Sequence, residues 1–376
     1  MPNIDLPTRD EIVRLANIRE RACVSIYVQT AQGPNASNMA RIEVHTQLRS
    51  AVELLEAAHT DAGVVESIVA AVEGLLVEEQ DFWRREANSL AIFANATMLS
   101  SFRLVNRLHG LTEVSDRFAI TPLLRATTFS HSAFVLALSQ NAVRLIDVSP
   151  VVPASEVTVP DLPHDLTTTV ALDLTNDRET LAHLRTSEDP KVRMLEFAQA
   201  VDGALRPILA DADRPLILAA VEPLASIYRS ASSYPRLSGT VIAGNPEERS
   251  PGQLAASAAP ILDAEYAAEL ATQTERFHES TSRGLSDDTL DGVALAVTSR
   301  AIDTLFVDID SRIPGQVDEL TGVVTRTEAT GEPHYDVIDE IVRRSLFSDA
   351  KIFAVRGTDV PGNGPVAAIL RFPVTP

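Results

Sequence analysis

The chain is 376 residues long, 45% hydrophobic and 22% charged, a composition that excludes the disordered and fibrous classes and leaves a folded globular protein. Thirty-two Lys and Arg against fifty-two Asp and Glu give a formal charge of −20, which excludes loose, long-range attraction to a nucleic-acid backbone: any RNA contact has to be local, and no DNA partner is expected. At this length two or three domains are expected, each with its own core.

No apolar run approaches the roughly 18 residues of a membrane span, and Met1-Pro2-Asn3-Ile4-Asp5 has no signal-peptide character, so the expectation is a cytoplasmic protein without a membrane partner. The single cysteine, Cys23, falls in the apolar run Ala22 to Val28 and reads as a small core hydrophobe. Only Lys191 and Lys351 are lysines. Basic chemistry here is therefore arginine chemistry.

In chain order, a first segment (1–122) opens with a helix carrying Ile12, Val13 and Leu15, then a strand from Ala22 to Val28 and a loop holding Gly33, Pro34 and Asn35. Two long amphipathic helices follow, marked by Ile42, Leu48, Val52 and Leu55 and by Val65, Ile68, Val72 and Leu75, with a break at Asp61 to Gly63. Strands are expected at Ser89–Asn95, Leu99–Val105 and Arg117–Leu124.

A second segment (123–275) begins with two apolar strands, Ala133–Ser139 and Ala142–Val148, parted by Gln140 and Asn141, which predicts a tight hairpin. A polar stretch, Pro160 to Pro190, leads to a helix over 192–209. Next comes a strand over Pro215–Val221, apolar throughout as in a sheet buried on both faces. Residues 228–250 read as irregular, and a helix starts near Pro251. The third segment (276–376) receives a long helix through Ala264–His278. It continues with a helix over Ser286–Arg300 capped by Ser286, a strand over Asp303–Asp308, a helix over Asp336–Leu346, and strands over Lys351–Val355 and Val366–Phe372. The whole is a three-domain α/β chain.

Several motifs mimic known chemistry. Pro251-Gly252-Gln253 stands where a helix N-terminus is expected. Asp308 and Asp310 sit at a strand end like the acids of a phosphatase, but only a short stretch of chain follows to supply the remaining groups, so they read as strand-end and turn acids. Gly362-Asn363-Gly364 precedes a strand, whereas a dinucleotide loop opens a helix. The histidines, among them His109, His131, His164 and His183, lack ligand spacing, so no metal or other cofactor is expected.

The carboxyl end of the strand Pro215–Val221 is the leading candidate site, because strand ends in buried α/β sheets border functional crevices. Glu222, Tyr228, Arg229, Tyr234 and Asn245 offer aromatic faces, a guanidinium and an amide suited to RNA bases or phosphate; the blander reading has Tyr228 and Arg229 bracing a loop. Arg103 and Arg107 make a second, weaker cationic candidate for an RNA contact.

The order of segments, with Phe134 to Asn141, Pro215 to Ala219, Ile227-Tyr228-Arg229, Gly244-Asn245-Pro246, Val366 to Ile369 and Arg371-Phe372, resembles the bacterial archaeo-eukaryotic release-factor-like proteins. These are relatives of the archaeo-eukaryotic class-1 release factors, of Pelota and of the hibernation factor Balon. The resemblance implies a ribonuclease-H-like middle domain, a last domain like the kink-turn-binding ribosomal proteins, and the ribosome as partner. It also implies a Gly-Gly-Gln tripeptide on a middle-domain loop. The corresponding stretch, 164–191, holds neither glycine nor glutamine, so the positive-φ tip and the water-orienting amide of peptide release are both missing. Three functions compete at this point: a non-catalytic ribosome-associated factor of the stress, hibernation or rescue type, a hydrolase with an unrecognised site in the middle-domain crevice, and an acidic protein-binding adaptor.

Overall fold

A computed structural model describes residues 7–30, 36–77, 83, 88–104, 106–128, 132–149, 153–167, 190–210, 212, 214–327, 335–362 and 364–374. The loop at Gly33 to Asn35, His131, His183, Asn363 and most of the 164–191 stretch lie outside these residues. The chain divides into two compact units, one built from Met1–Phe129 together with Glu269–Pro376, the other from Ser130–Ala268.

Helix α1 (Arg9–Asn17) starts with a reciprocal cap: the Thr8 hydroxyl accepts from the Glu11 amide at 3.2 Å and the Thr8 amide donates to Glu11 at 2.8 Å. Strand β1 (Cys23–Gln29) follows, then helices α2 (Ala36–Ala57) and α3 (Ala62–Val77) and strands β2 (Ser89–Ala94), β3 (Leu99–Leu104) and β4 (Leu111–Ser115). The four strands form an antiparallel sheet in the order β3-β2-β1-β4. Side chains alternate between its faces. Val24, Ile26 and Val28 meet Val44, Leu48, Ile68 and Val72 of α2 and α3, whereas Cys23 and Tyr27 point into a separate apolar cluster.

The strand expected at Arg117–Leu124 is instead the approach to helix α4 (Thr121–Thr128). Phe118, Ile120, Leu123 and Leu124 are all buried, which made the run look like a strand, but Pro122 sits in the first helical turn, where its missing N–H costs nothing.

The second unit holds β5 (Ala133–Leu138), β6 (Val143–Val148), β7 (Ser155–Val157), α5 (Pro190–Leu209), β8 (Leu216–Ala220), α6 (Leu224–Ala231), β9 (Leu237–Ala243) and the start of α7 (Pro251–Thr281). Its sheet runs β7-β6-β5-β8-β9, with β5, β8 and β9 parallel. Both faces are covered: Leu136, Leu145 and Leu218 pack on Phe197, Val201 and Leu205 of α5, and Val135, Ile146 and Ile217 pack on Leu254, Ala258 and Leu262 of α7. Burial on both sides is why the sequence of β8 is apolar without alternation. The segment expected to be irregular, 228–250, contains the end of α6 and all of β9. Leu224, Ala225 and Tyr228 supply the buried helical face, a pattern too short to register against the surrounding Ser, Pro and Gly.

Helix α7 is continuous over 31 residues, so the two helices expected near Pro251 and at Ala264–His278 are one. Beyond it come β10 (Ser286–Asp287), α8 (Leu290–Thr298), β11 (Ile302–Asp308), β12 (Pro314–Val317), β13 (Val324–Arg326), β14 (Tyr335–Asp336), α9 (Val337–Leu346), β15 (Lys351–Val355) and β16 (Val366–Leu370). The cap of α8 is Thr289, whose hydroxyl accepts from the Gly292 amide at 3.1 Å. Ser286, expected to be that cap, pairs with Ile369 in the sheet β10-β16-β11-β15. One apolar cluster joins the two ends of the chain: Ile12, Tyr27, Phe93 and Phe118 share it with Val293, Leu305 and Ile341.

Candidate functional site

Because β5, β8 and β9 are parallel, their carboxyl ends lie along one edge of the middle sheet, where three turns meet: Ser139–Ala142, Glu222–Pro223 and the loop after Ala243. Arg144 fastens the last of these, donating from Nη2 to the carbonyl oxygens of Pro246 at 2.8 Å and Arg249 at 2.9 Å. Asn141 donates to the Glu247 carboxylate at 3.1 Å, and Arg249 returns a bond to the Ala243 carbonyl at 3.0 Å. Gly244 has φ +101°, and a Cβ there would lie 3.0 Å from the Arg249 guanidinium. The positive φ is what asks for glycine at this turn, since the flexible arginine could move aside.

Two of the sequence-derived candidates come together at this edge. Glu222 is exposed, and its carboxylate accepts from the Ser226 amide at 3.3 Å. Asn245 is exposed, and its side-chain oxygen accepts from the Glu247 amide at 3.2 Å. Arg229 is exposed near the far end of α6.

Tyr234 does not join them. It precedes β9 and so lies at the opposite, amino edge, where its hydroxyl is 2.7 Å from the Ala212 carbonyl and 2.6 Å from that of Arg214. That edge is fastened by Asp202 of α5, which accepts from Ser232 Oγ at 3.1 Å, the Ser233 amide at 3.1 Å and Ser233 Oγ at 2.8 Å. Tyr228 is fully buried, and burial pushes its phenol up. Its ring is enclosed in the core on the inner face of α6 and presents no face for stacking on a base. In the other unit, Arg103 is buried on β3 and cannot reach a partner outside the chain, whereas Arg107 is exposed.

Sequence reasoning missed a cluster in that unit. Glu340 of α9, its side chain 1% exposed, receives Arg117 Nη1, Arg343 Nε at 2.7 Å and Arg344 Nε at 2.7 Å, with Arg19 at 3.5 Å. Burial alone would raise its carboxyl; the bonds and charges of Arg343 and the charge of Arg117 hold it below the usual carboxylate range. The Glu340, Arg343 and Arg344 spacing was visible as a helical i, i+3, i+4 pattern. Nothing in the sequence places Arg19 and Arg117 beside it.

Among the described residues the carboxylates pushed up by burial, which would favour a hydrolase, lie outside the middle unit, whereas Glu247 at the candidate edge is held below the usual carboxylate range by its hydrogen bonds. Burial pushes Asp336 up to about 6 and Glu113 up to about 8. Asp336 accepts from the amides of Ile313 at 3.0 Å and Ile338 at 3.1 Å and from Arg312 at 3.1 Å, a structural set of partners that leaves it engaged with its own chain. Asp308, the phosphatase-like acid, accepts from the Asp310 amide at 3.1 Å and from Ser311 Oγ, as a turn acid does. Among the described residues no group of His, Cys, Asp and Glu is arranged to hold a metal ion, and no helix is long and apolar enough to cross a membrane.

Residues 130–268 match the model of bacterial archaeo-eukaryotic release factor family 11. The resemblance read from the sequence thus holds over the middle of the chain, with the bounds of the compact unit Ser130–Ala268. No curated protein matches the chain. Solved structures similar to it include the archaeal translation termination factor aRF1 (13% identity, covering 97% of this chain and 99% of that one, TM-score 0.24). Ribosome-bound archaeal Pelota is similar at 14% identity, with 98% and 95% covered and a TM-score of 0.41. Dom34 of S. cerevisiae, a translation termination-like factor, is similar at 14% identity, with 74% of each chain covered and a TM-score of 0.37.

Proposed function

We propose that the chain is a ribosome-associated translation factor homologue of the stress, hibernation or rescue type, cytoplasmic and without peptidyl-tRNA hydrolase activity. The observation that carries this reading is the coincidence of the family match with a complete folding unit, 130–268. We take that unit as ribonuclease-H-like, supported by its parallel β5, β8 and β9 beside antiparallel β6 with helices on both faces. The segment 276–376 is taken as like the kink-turn-binding ribosomal proteins, and the three segments 1–122, 123–275 and 276–376 as the modules of the chain. The absence of peptide release is supported by the sequence: no two of its 16 glycines are adjacent, and 164–191 has neither glycine nor glutamine.

With a formal charge of −20, binding has to rest on shape and a few exposed arginines rather than a basic face. Arg229 with Glu222 and Asn245 on the middle unit, and Arg107 on the other, are the surface groups available from the sequence-derived set. Co-sedimentation of the purified chain with ribosomes across a salt series tests the reading. Saturable binding that weakens with salt and with Arg229→Ala is the expected result, together with no release of peptide from peptidyl-tRNA on those ribosomes; no binding at low salt overturns it.

A further inference from the structure

The last turns of α8 and α9 and the hairpin between β12 and β13 enclose a cleft of about 240 Å³ lined by Thr298, Arg300, Glu319, Arg343, Arg344 and Phe347 among others. Three guanidinium groups line it beside the Glu319 carboxylate; Arg343 and Arg344 are paired with Glu340 beneath the wall, which leaves Arg300 as the uncompensated cation, in a chain whose formal charge is −20. Arg344 is fixed, donating to Thr298 Oγ1 at 2.6 Å and to the Val317 carbonyl at 2.9 Å. Arg343 spends Nε and Nη2 on Glu340 and leaves Nη1 over. Arg300 is exposed and held at φ 54° just past α8, where its amide donates to the Val297 carbonyl at 3.0 Å; its guanidinium has no hydrogen-bond or ion-pair partner among the described residues. Its whole donor fork is available.

The hairpin beside the cleft, with Leu320 and Val323, and the end of α9, with Phe347, display apolar side chains on a rigid support. Leu320 is 91% exposed, Val323 61% and Phe347 41%. The tip that carries Leu320 is not loose: Asp318 Oδ1 accepts from the Leu320 amide at 3.0 Å and from the amide and hydroxyl of Thr321 at 2.7 Å each. Gly322, at φ +73°, packs so closely on α8 that a Cβ would lie 2.9 Å from the Leu295 Cα. Holding a leucine out into water on a fixed turn costs solvation and gains nothing in the isolated chain, whereas it lowers the entropy lost on binding.

We propose that this cleft docks an acidic segment of a partner protein that carries a large apolar side chain, with carboxylates on Arg300 and Arg343 and the apolar group among Phe347, Leu320 and Val323. Two observations favour such a peptide over RNA. The exposed rim is largely aliphatic, and aliphatic groups do not stack on bases. The surrounding charge of −20 repels a polyanion far more than a segment bearing a few carboxylates. Glu319 at the rim limits how many negative charges the cleft accepts. The inference stands independently of the ribosomal reading.

The test is fluorescence anisotropy of the full chain with a labelled short peptide in which aspartate and glutamate alternate with leucine and phenylalanine. The expected result is saturable binding that falls at least about tenfold in Arg300→Glu and in Leu320→Ser, both exposed positions whose variants should keep the wild-type circular dichroism. Binding should also be lost when the acids of the peptide become amides or its apolar residues become serine. Absence of binding, binding indifferent to both variants, or tighter binding of a single-stranded RNA of equal length that Arg300→Glu weakens would each overturn the proposal.

Discussion

The Oδ1 atom of Asp339 lies 2.7 Å from the backbone nitrogens of Ile120 and Thr121 and 2.7 Å from the Thr121 hydroxyl oxygen. One oxygen at the start of α9 therefore caps α4 across 218 residues of sequence. Asp339→Ala leaves three donors without a partner and should cost about 3 kcal/mol or more. Burial already pushes the Asp339 carboxyl up, so Asp339→Asn, which keeps one acceptor oxygen, removes the charge and turns the other oxygen into an NH2 donor, should cost about 1 kcal/mol. Urea midpoints of the two variants separate them.

The second prediction concerns Glu340, the counter-charge for Arg19, Arg117, Arg343 and Arg344. Glu340→Ala leaves several partly buried guanidinium groups repelling one another, and should cost about 3–5 kcal/mol. Because the folded carboxyl lies below its usual range, its contribution is present above the unfolded value and fades as pH falls through the folded one. Acid titration of wild type and variant should converge at the low end.

Glu113 behaves in the opposite sense. Burial first, then the neighbouring Asp339 and Asp336, push it up to about 8. The folded chain then holds a proton that the unfolded chain has released, so stability falls as pH rises from the ordinary glutamate range through about 8. Glu113→Gln should match wild type near pH 4 and exceed it near pH 8, by on the order of 1 kcal/mol or more, in chemical denaturation at the two pH values.

At the candidate site, Arg229→Ala and Arg107→Ala remove exposed guanidinium groups and should leave the melting temperature unchanged within about 2 °C. If either contacts phosphate on the ribosome, its variant lowers the salt slope of co-sedimentation by about one phosphate contact. Tyr228→Phe, deep in the core, should leave that binding untouched.

How much of this was legible in the sequence follows the range of each interaction. The hairpin at Ser139–Ala142, the doubly buried β8 and the helix beginning at Pro251 declare themselves through local spacing and turn chemistry. The candidate site was half legible. Glu222 and Asn245 share an edge because parallel strands end together, a topological inference. Tyr234 was misplaced because a hidden strand, β9, carries the chain back across the sheet before Asn245. Short elements among Ser, Pro and Gly, such as α6 and β10, have too few residues for periodicity to emerge. The arginine cluster around Glu340 and the Asp339 cap depend on contacts between distant stretches of chain, for which no local signal exists.

The cluster that joins Ile12, Tyr27 and Phe118 to Val293, Leu305 and Ile341 sets an order of events during synthesis. The amino-terminal sheet should leave the ribosome with its Tyr27 face covered only in part, by Ile12, Phe118 and Leu123, and wait for the residues beyond 290 to complete the cluster. The middle unit, contiguous in sequence, should be complete before that. Destabilising the carboxy-terminal helices α8 or α9 should therefore lengthen the time that Tyr27 and Phe93 stand open to water in the nascent chain, and expose the amino-terminal half to aggregation and proteolysis even though the altered residues are far from it in sequence.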